Sequence, residues 1–254
     1  MKIQYCSDIH LEFLENQSFL KSNPLKPAGD ILILAGDVVP FAEMDKHASF
    51  FDYLADTYEA TYWIPGNHEY YHSDASERSG TLNEKIRSNV ILLNNQSVMV
   101  NNTKLIFSTL WSHISPANEF RIKKNMSDFH VISYQGQKFT TENFNQLHEE
   151  SKAFLVSALQ DTENFETIVV THHVPTLVNY PERYAESMIN EAFVVELFNL
   201  IESSGIDYWM YGHTHVNTTD FEIGKTRMLT NQLGYVEYNE HQYFDIAKTI
   251  TIKE

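Results

Sequence analysis

The chain has 254 residues and a formal net charge of −16, which is long enough to bury a sizeable core within one α/β domain. A surplus of acid this large disfavours a protein whose main work is binding a nucleic-acid backbone, because that work needs a basic footprint. The N-terminus runs straight into an apolar strand and no apolar run is long enough to cross a bilayer, so a cytoplasmic protein with no signal peptide and no membrane partner is expected.

Lys2–Cys6 reads as a strand, and its Cys6 is the only cysteine in the chain. A lone cysteine excludes an internal disulfide framework and fits a reducing compartment. Asp30–Leu34 is a second strand, rich in Ile and Leu. From about Met44 to Tyr58, Phe50, Phe51 and Leu54 recur at helical spacing. Thr61–Ile64 forms a third strand, stopped by Pro65-Gly66. Short apolar strands separated by helices predict a parallel sheet covered on both faces.

From Asn89 the strands follow in close succession. Val90–Leu93 and Val98–Val100 lead through a hairpin turn at Asn101-Asn102-Thr103 into Lys104–Leu110. The segment Trp111–Lys138 has little periodicity, and such long connections are usually functional or mobile. Thr140 or Thr141 is placed to cap a helix through Phe144, Leu147, Phe154, Leu155 and Leu159. Thr167–Val170 is a further strand, Glu191–Ser203 a helix ended near Gly205, and Asp207–Tyr211 another strand. Segments within Glu222–Thr230 and Thr249–Ile252 are expected to close a second sheet.

Five polar clusters follow directly on these strands: Asp8-Ile9-His10, Gly36-Asp37, Gly66-Asn67-His68-Glu69, His172-His173 and Gly212-His213-Thr214-His215. Asp8 and His10, two apart in an extended chain, leave the same face and can grip one ion together. Asp37 has two oxygens and can bridge two ions, while Asn67 offers a neutral carbonyl oxygen. In open α/β sheets ligands bind at the carboxyl ends of strands, where every one of these clusters falls. An isolated Asp-x-His or Gly-Asp is more often structural; five such clusters at five strand ends are not an accident of composition.

In this order and context the clusters resemble the calcineurin-like metallophosphoesterase superfamily, over residues 8 to 215. The resemblance implies a four-layer α/β/β/α sandwich, two mixed sheets packed face to face with flanking helices, and a single phosphoesterase domain over residues 1–254. It implies one metal ion held by Asp8, His10, Asp37 and His215, and a second held by Asp37, Asn67, His172 and His213. Nitrogen and oxygen ligands without cysteine suit Mn, Fe, Zn or Co. His172 is taken as ligand over His173 because it directly follows its strand. The family usually has Asp where this chain has Glu69.

A hydroxide bridging the two ions would then attack a phosphate mono- or diester of a small soluble substrate, with His68 as general acid at the leaving group. Specificity is expected from Trp111, His113, Arg121 and His173, with Tyr70, Tyr71, His72, Lys123, Lys124, Asn231 and Tyr235 as weaker candidates. Two other readings stand beside the phosphatase or phosphodiesterase. A metal-dependent nuclease is opposed by the net charge, and a non-catalytic protein-binding scaffold by the intact ligand set.

Overall fold

The computed structural model describes residues 1–162 and 164–253. The first half of the chain builds β1 (Lys2–Cys6), α1 (Leu14–Ser22), β2 (Ile31–Ala35), α2 (Ala48–Thr57), β3 (Ala60–Ile64), α3 (Ala75–Arg78), β4 (Leu82–Lys85) and β5 (Val90–Asn94). A hairpin of β6 (Gln96–Val100) and β7 (Thr103–Ser108) opens the second half. There follow α4 (Glu119–Asn125), α5 (Asp128–Val131), a short ribbon of β8 (Ser133–Tyr134) and β9 (Gln137–Lys138), and α6 (Thr141–Ala158). The chain ends with β10 (Glu166–Thr171), α7 (Phe198–Ser204), β11 (Tyr208–Tyr211), β12 (Phe221–Ile223), β13 (Thr226–Thr230) and β14 (Thr249–Thr251).

Two six-stranded sheets result, ordered β14-β1-β2-β3-β5-β4 and β12-β13-β11-β10-β7-β6. In each, the inner strands run parallel and both edge strands antiparallel. Strand alternation explains the layering. In β2, Ile31, Ile33 and Ala35 point one way, into a core shared with Leu105, Phe107, Ile168, Val170 and Met210 of the other sheet. Leu32 and Leu34 point the other way, against Leu20 of α1 and Phe51 and Leu54 of α2. The outer face of the second sheet, through Ile106, Val169 and Trp209, packs on Leu155 of α6 and Ile201 of α7. The architecture is therefore the expected α/β/β/α sandwich, and strands buried on both faces account for the nearly continuous apolar runs.

The Asn101-Asn102 turn is present, with Asn101 left-handed at φ 51°, and Val100 paired to Thr103. Thr140 caps α6 in a reciprocal pair with Asn143. Other expectations are corrected. The C-terminal strand β14 pairs with β1 and extends the first sheet, not the second. Residues 191–203 are not one helix: a short 3-10 turn (Asn190–Ala192) precedes a bridge between Val194 and Val174, and α7 begins only at Phe198. The pair of β-branched valines at 194–195 pairs with an extended chain in preference to continuing a helix. The segment Trp111–Lys138 holds α4, α5 and the β8–β9 ribbon, folded over a cluster of its own that includes Trp111, Ile122, Phe129 and Phe139. Among the described residues no helix is long and apolar enough to cross a membrane.

Candidate metal centre

The strand-end clusters converge on the carboxyl ends of β1, β2, β3, β10 and β11. Asp8 and His10 are not extended, as the sequence suggested. Asp8 (φ 56°), His10 (φ 50°), Asp37 (φ 54°), His213 (φ 79°) and His215 (φ 55°) all adopt the left-handed conformation. L-residues with side chains enter that region at a cost, and such outliers gather at functional sites. Glycine is required beside them: a Cβ on Gly66 would collide with Asp37 Oδ1 and with His172 Nε2 and Cε1.

The donor atoms fall into two groups that share Asp37. In one, His10 Nε2 lies 3.0 Å from His215 Nε2, which is 3.3 Å from Asp8 Oδ1; His10 Nε2 is also 3.7 Å from Asp37 Oδ2. In the other, His172 Nε2 lies 3.0 Å from His213 Nδ1 and 3.3 Å from both Asp37 Oδ2 and Asn67 Oδ1. Asp37 Oδ2 thus faces both groups, while Oδ1 accepts the His68 backbone N–H at 2.9 Å.

Outer contacts settle which nitrogen of each ring is free. His10 Nδ1 donates to Glu12 Oε1 at 3.0 Å and His215 Nδ1 to Glu240 Oε2 at 2.7 Å. His172 Nδ1 donates to the Ala35 carbonyl at 3.0 Å and His213 Nε2 to the Ala192 carbonyl at 3.3 Å. Asn67 Nδ2 donates to Asp128 Oδ1 at 2.7 Å, turning Oδ1 inward. Carboxylates and carbonyls accept only, so each neutral ring carries its proton outward and aims a lone pair inward. Lone pairs 3.0 Å apart repel unless a proton or a metal cation stands between them. The donor set therefore fits metal binding.

Burial disfavours a charge on His215, yet Asp8 and Glu240 push its pKa up to about 10. In the same way Asp37 outweighs burial at His172 and raises it to about 9. Burial and then its histidine neighbours hold His213 well below the ordinary value. The centre as a whole attracts positive charge.

His68 stands at the edge of this centre, not in it. Its Nδ1 donates to the same Glu12 Oε1 at 2.8 Å, its ring stacks on Tyr71 at 4.0 Å, and Nε2 lies 3.3 Å from the Tyr235 hydroxyl. A cleft of about 250 Å³ opens here, lined by Asp37, Asn67, His68, Tyr71, His213, His215, Tyr235, Glu240, Tyr184, Phe193 and residues 125–127.

The specificity candidates are sorted by this geometry. Trp111 and Tyr70 are buried against each other, with Phe139 and Phe144 around Trp111, and belong to the core, not the rim. An aromatic just after a strand is as readily a core anchor as a wall of the site. His173 is fully buried behind His213, between Trp111 and Phe144. His113 is exposed against His148, away from the cleft lining, as is His72. Arg121 lies on the exposed side of α4 beside Met188; the end of that helix, at Asn125 and Met126, reaches the cleft instead. Asn231 is buried and staples Tyr5 to Asp245. Tyr71 and Tyr235 do line the cleft.

Sequence reading missed Glu12, Asp128 and Glu240, the carboxylates that orient His10, Asn67 and His215. Only Glu12 carries a local signal, being two residues beyond His10; the others come from distant segments. Glu69 also has a clear role: its buried carboxylate accepts from Asp37 N, Val38 N, Gly66 N and Trp63 Nε1, at 2.6 to 3.0 Å.

The Metallophos family, described as calcineurin-like phosphoesterase, matches residues 1–217. The chain belongs to that family. The uncharacterized protein L509 of Acanthamoeba polyphaga mimivirus is 33% identical over 278 residues, spanning 98% of each chain. The crystal structure of phosphopantetheinyl hydrolase from Mycobacterium tuberculosis is 17% identical and superposes with a TM-score of 0.72 over 98% of this chain and 95% of that one. It shares the fold. Membership in the calcineurin-like phosphoesterases, together with the buried His/Asp clusters, supports a metal-dependent phosphoesterase.

Proposed function

We propose that residues 1–254 act as one cytoplasmic, dinuclear phosphoesterase domain that hydrolyses a small soluble phosphate ester. The observation that carries this reading is the pair of inward-facing lone-pair clusters joined at Asp37 Oδ2. One cation would be held by Asp8, His10, Asp37 and His215, and the other by Asp37, Asn67, His172 and His213. Bound there, Mn, Fe, Zn or Co would acidify water and offset charge on the phosphate oxygens.

The chain's own part is orientation and proton supply. Glu12 holds His68 Nδ1–H, which leaves Nε2 directed at the cleft. Burial lowers the pKa of His68, but Asp37 and Glu12 more than offset this and raise it, which favours the protonated ring that a general acid needs. From Nε2 that proton passes to the departing alcohol, a transfer that typically contributes 10²–10⁴-fold. Tyr235 and Tyr71 fix the ring from two sides and shield it from bulk water.

A nuclease fits less well: among the described residues no Lys or Arg lines the cleft, and the chain carries −16. A protein-binding scaffold would not need the tautomers fixed. The test is a panel of mono- and diesters, phosphopantetheinyl compounds among them, assayed with apo-protein reconstituted by Mn²⁺, Zn²⁺, Co²⁺ or Fe²⁺. Metal-dependent turnover is expected; binding of two ions with no hydrolysis of any ester would overturn the reading.

A further inference from the structure

Tyr235 lines both the cleft and a second cavity, of about 220 Å³, that the phosphoesterase reading does not use. It is lined by Phe13, Glu15, Asn16, Tyr235, Glu237 and Tyr238. Three of its walls are aromatic. Phe13 meets Tyr235 with centroids 5.2 Å apart at 82°, and Tyr235 meets Tyr238 at 6.0 Å and 82°. Phe13 is 38% exposed and Tyr238 67%, so ring surface is left open to a ligand. The floor is built, not incidental. Buried Asn16 donates to the Ile9 and Gly234 carbonyls at 2.9 and 2.8 Å, and accepts from Val236 N at 3.1 Å.

The charge of this cavity is one-sided. Its acidic residues are Glu15 and Glu237, with no Lys or Arg among the described lining residues. Perpendicular aromatic rings with carboxylates at the rim suit an organic cation, since the negative face of a ring attracts a cation, more strongly once water is displaced. An anionic or polyphosphate group would be repelled. The overall charge of −16 draws cations towards the surface by the same physics.

Location says which part of the substrate enters. The Tyr235 hydroxyl is 3.3 Å from His68 Nε2, the nitrogen assigned to the leaving oxygen, and the same ring forms the wall of the cavity. The metal cleft itself offers no Lys or Arg among the described lining residues, so a diester, with one negative charge, suits it better than a monoester with two.

Resting on the phosphoesterase reading, we infer that the substrate is a phosphodiester whose leaving alcohol carries an ammonium group, received between Phe13, Tyr235 and Tyr238 with Glu15 and Glu237 beside it. Water oxygen bonds to phosphorus as the bond from phosphorus to the alcohol oxygen breaks. One proton reaches the alcohol through His68 and the other goes to solvent, leaving a phosphomonoester.

The test compares glycero-3-phosphocholine, which carries a quaternary ammonium, with uncharged-headgroup glycero-3-phosphoglycerol. Bis-p-nitrophenyl phosphate serves as control. The metal-loaded protein is expected to favour the choline ester by about tenfold in kcat/KM, mostly through KM. Tyr238→Ala and Glu237→Gln should each shrink that ratio towards one while leaving the control diester unchanged. Choline chloride titrated calorimetrically into the protein should bind, and binding should weaken in both variants. Equal use of the two glycero-diesters, turnover of the control alone, or a preference that survives in both variants would overturn the inference and spare the phosphoesterase reading. Absence of turnover on every ester would overturn that reading itself.

Discussion

His10 Nε2 and His215 Nε2 face one another at 3.0 Å, while Glu12 and Glu240 hold the opposite nitrogen of each ring. Neither ring can turn to relieve the other without abandoning a carboxylate in a largely buried site. Without metal the facing lone pairs are relieved by an added proton, which the raised pKa values of His215 and His172 favour, and a metal cation takes that proton's place; the same holds for His172 and His213. Folding energy and metal affinity are thereby linked.

Metal should therefore stabilise the fold. Chelator-treated protein given Mn²⁺ or Zn²⁺ at about 100 times Kd gains roughly 2.7 kcal/mol from binding. For a chain of this size that corresponds to a rise in Tm of roughly 5–10 °C. Calorimetry showing the same Tm with and without metal would refute a preformed centre.

Asp37 is the residue whose loss should disturb both ions. Asp37→Ala removes the carboxylate oxygen that faces His10 and His172 together, so metal content should fall by more than one ion and activity should vanish. His215→Ala should instead weaken chiefly the group containing Asp8 and His10. Elemental analysis finding two ions retained in Asp37→Ala would remove the bridging role.

The converging donor atoms were legible because they sit beside strand ends, and apolar strands such as Ile31–Ala35 are strong local signals. What the sequence hid is set by tertiary contact. Asp128 lies 61 positions from Asn67, and Glu240 lies 25 from His215; nothing local marks either as a partner. Trp111 was misplaced because aromatic type does not say which face of the chain end it leaves by, and its cluster with Phe139 and Phe144 is assembled from distant elements. The C-terminal strand reads equally well for either sheet; only its register against Lys2–Gln4 decides.

Glu69 is expected to matter to stability more than to chemistry. Glu69→Ala would leave buried donors at Asp37, Val38, Gly66 and Trp63 without their acceptor, at about 1–3 kcal/mol for each donor left unpaired. Urea unfolding should show a loss of several kcal/mol even in the chelated protein. An unchanged midpoint would mean that these donors find other partners.

Glu12 and Glu240 orient metal-facing histidines alike, but only Glu12 also touches His68. Glu12→Gln and Glu240→Gln should each weaken metal binding by about 10–100-fold. At saturating metal, only Glu12→Gln should still slow esters with poor leaving groups more than activated aryl esters. If both variants recover fully once metal is saturating, Glu12 serves the metal alone.

His68 separates proton transfer from metal binding, because both proposed ligand groups are complete without it. His68→Asn should keep two ions and lose roughly 10²–10⁴-fold in kcat on esters whose alcohol needs a proton to depart. For p-nitrophenyl esters, whose leaving oxygen is stable unprotonated, the loss should be far smaller. The contrast between the two ester types is the diagnostic, since a structural defect would slow both equally. Equal slowing with both ions bound would make His68 a stabiliser of developing phosphate charge and not the acid, and loss of an ion would make it a ligand.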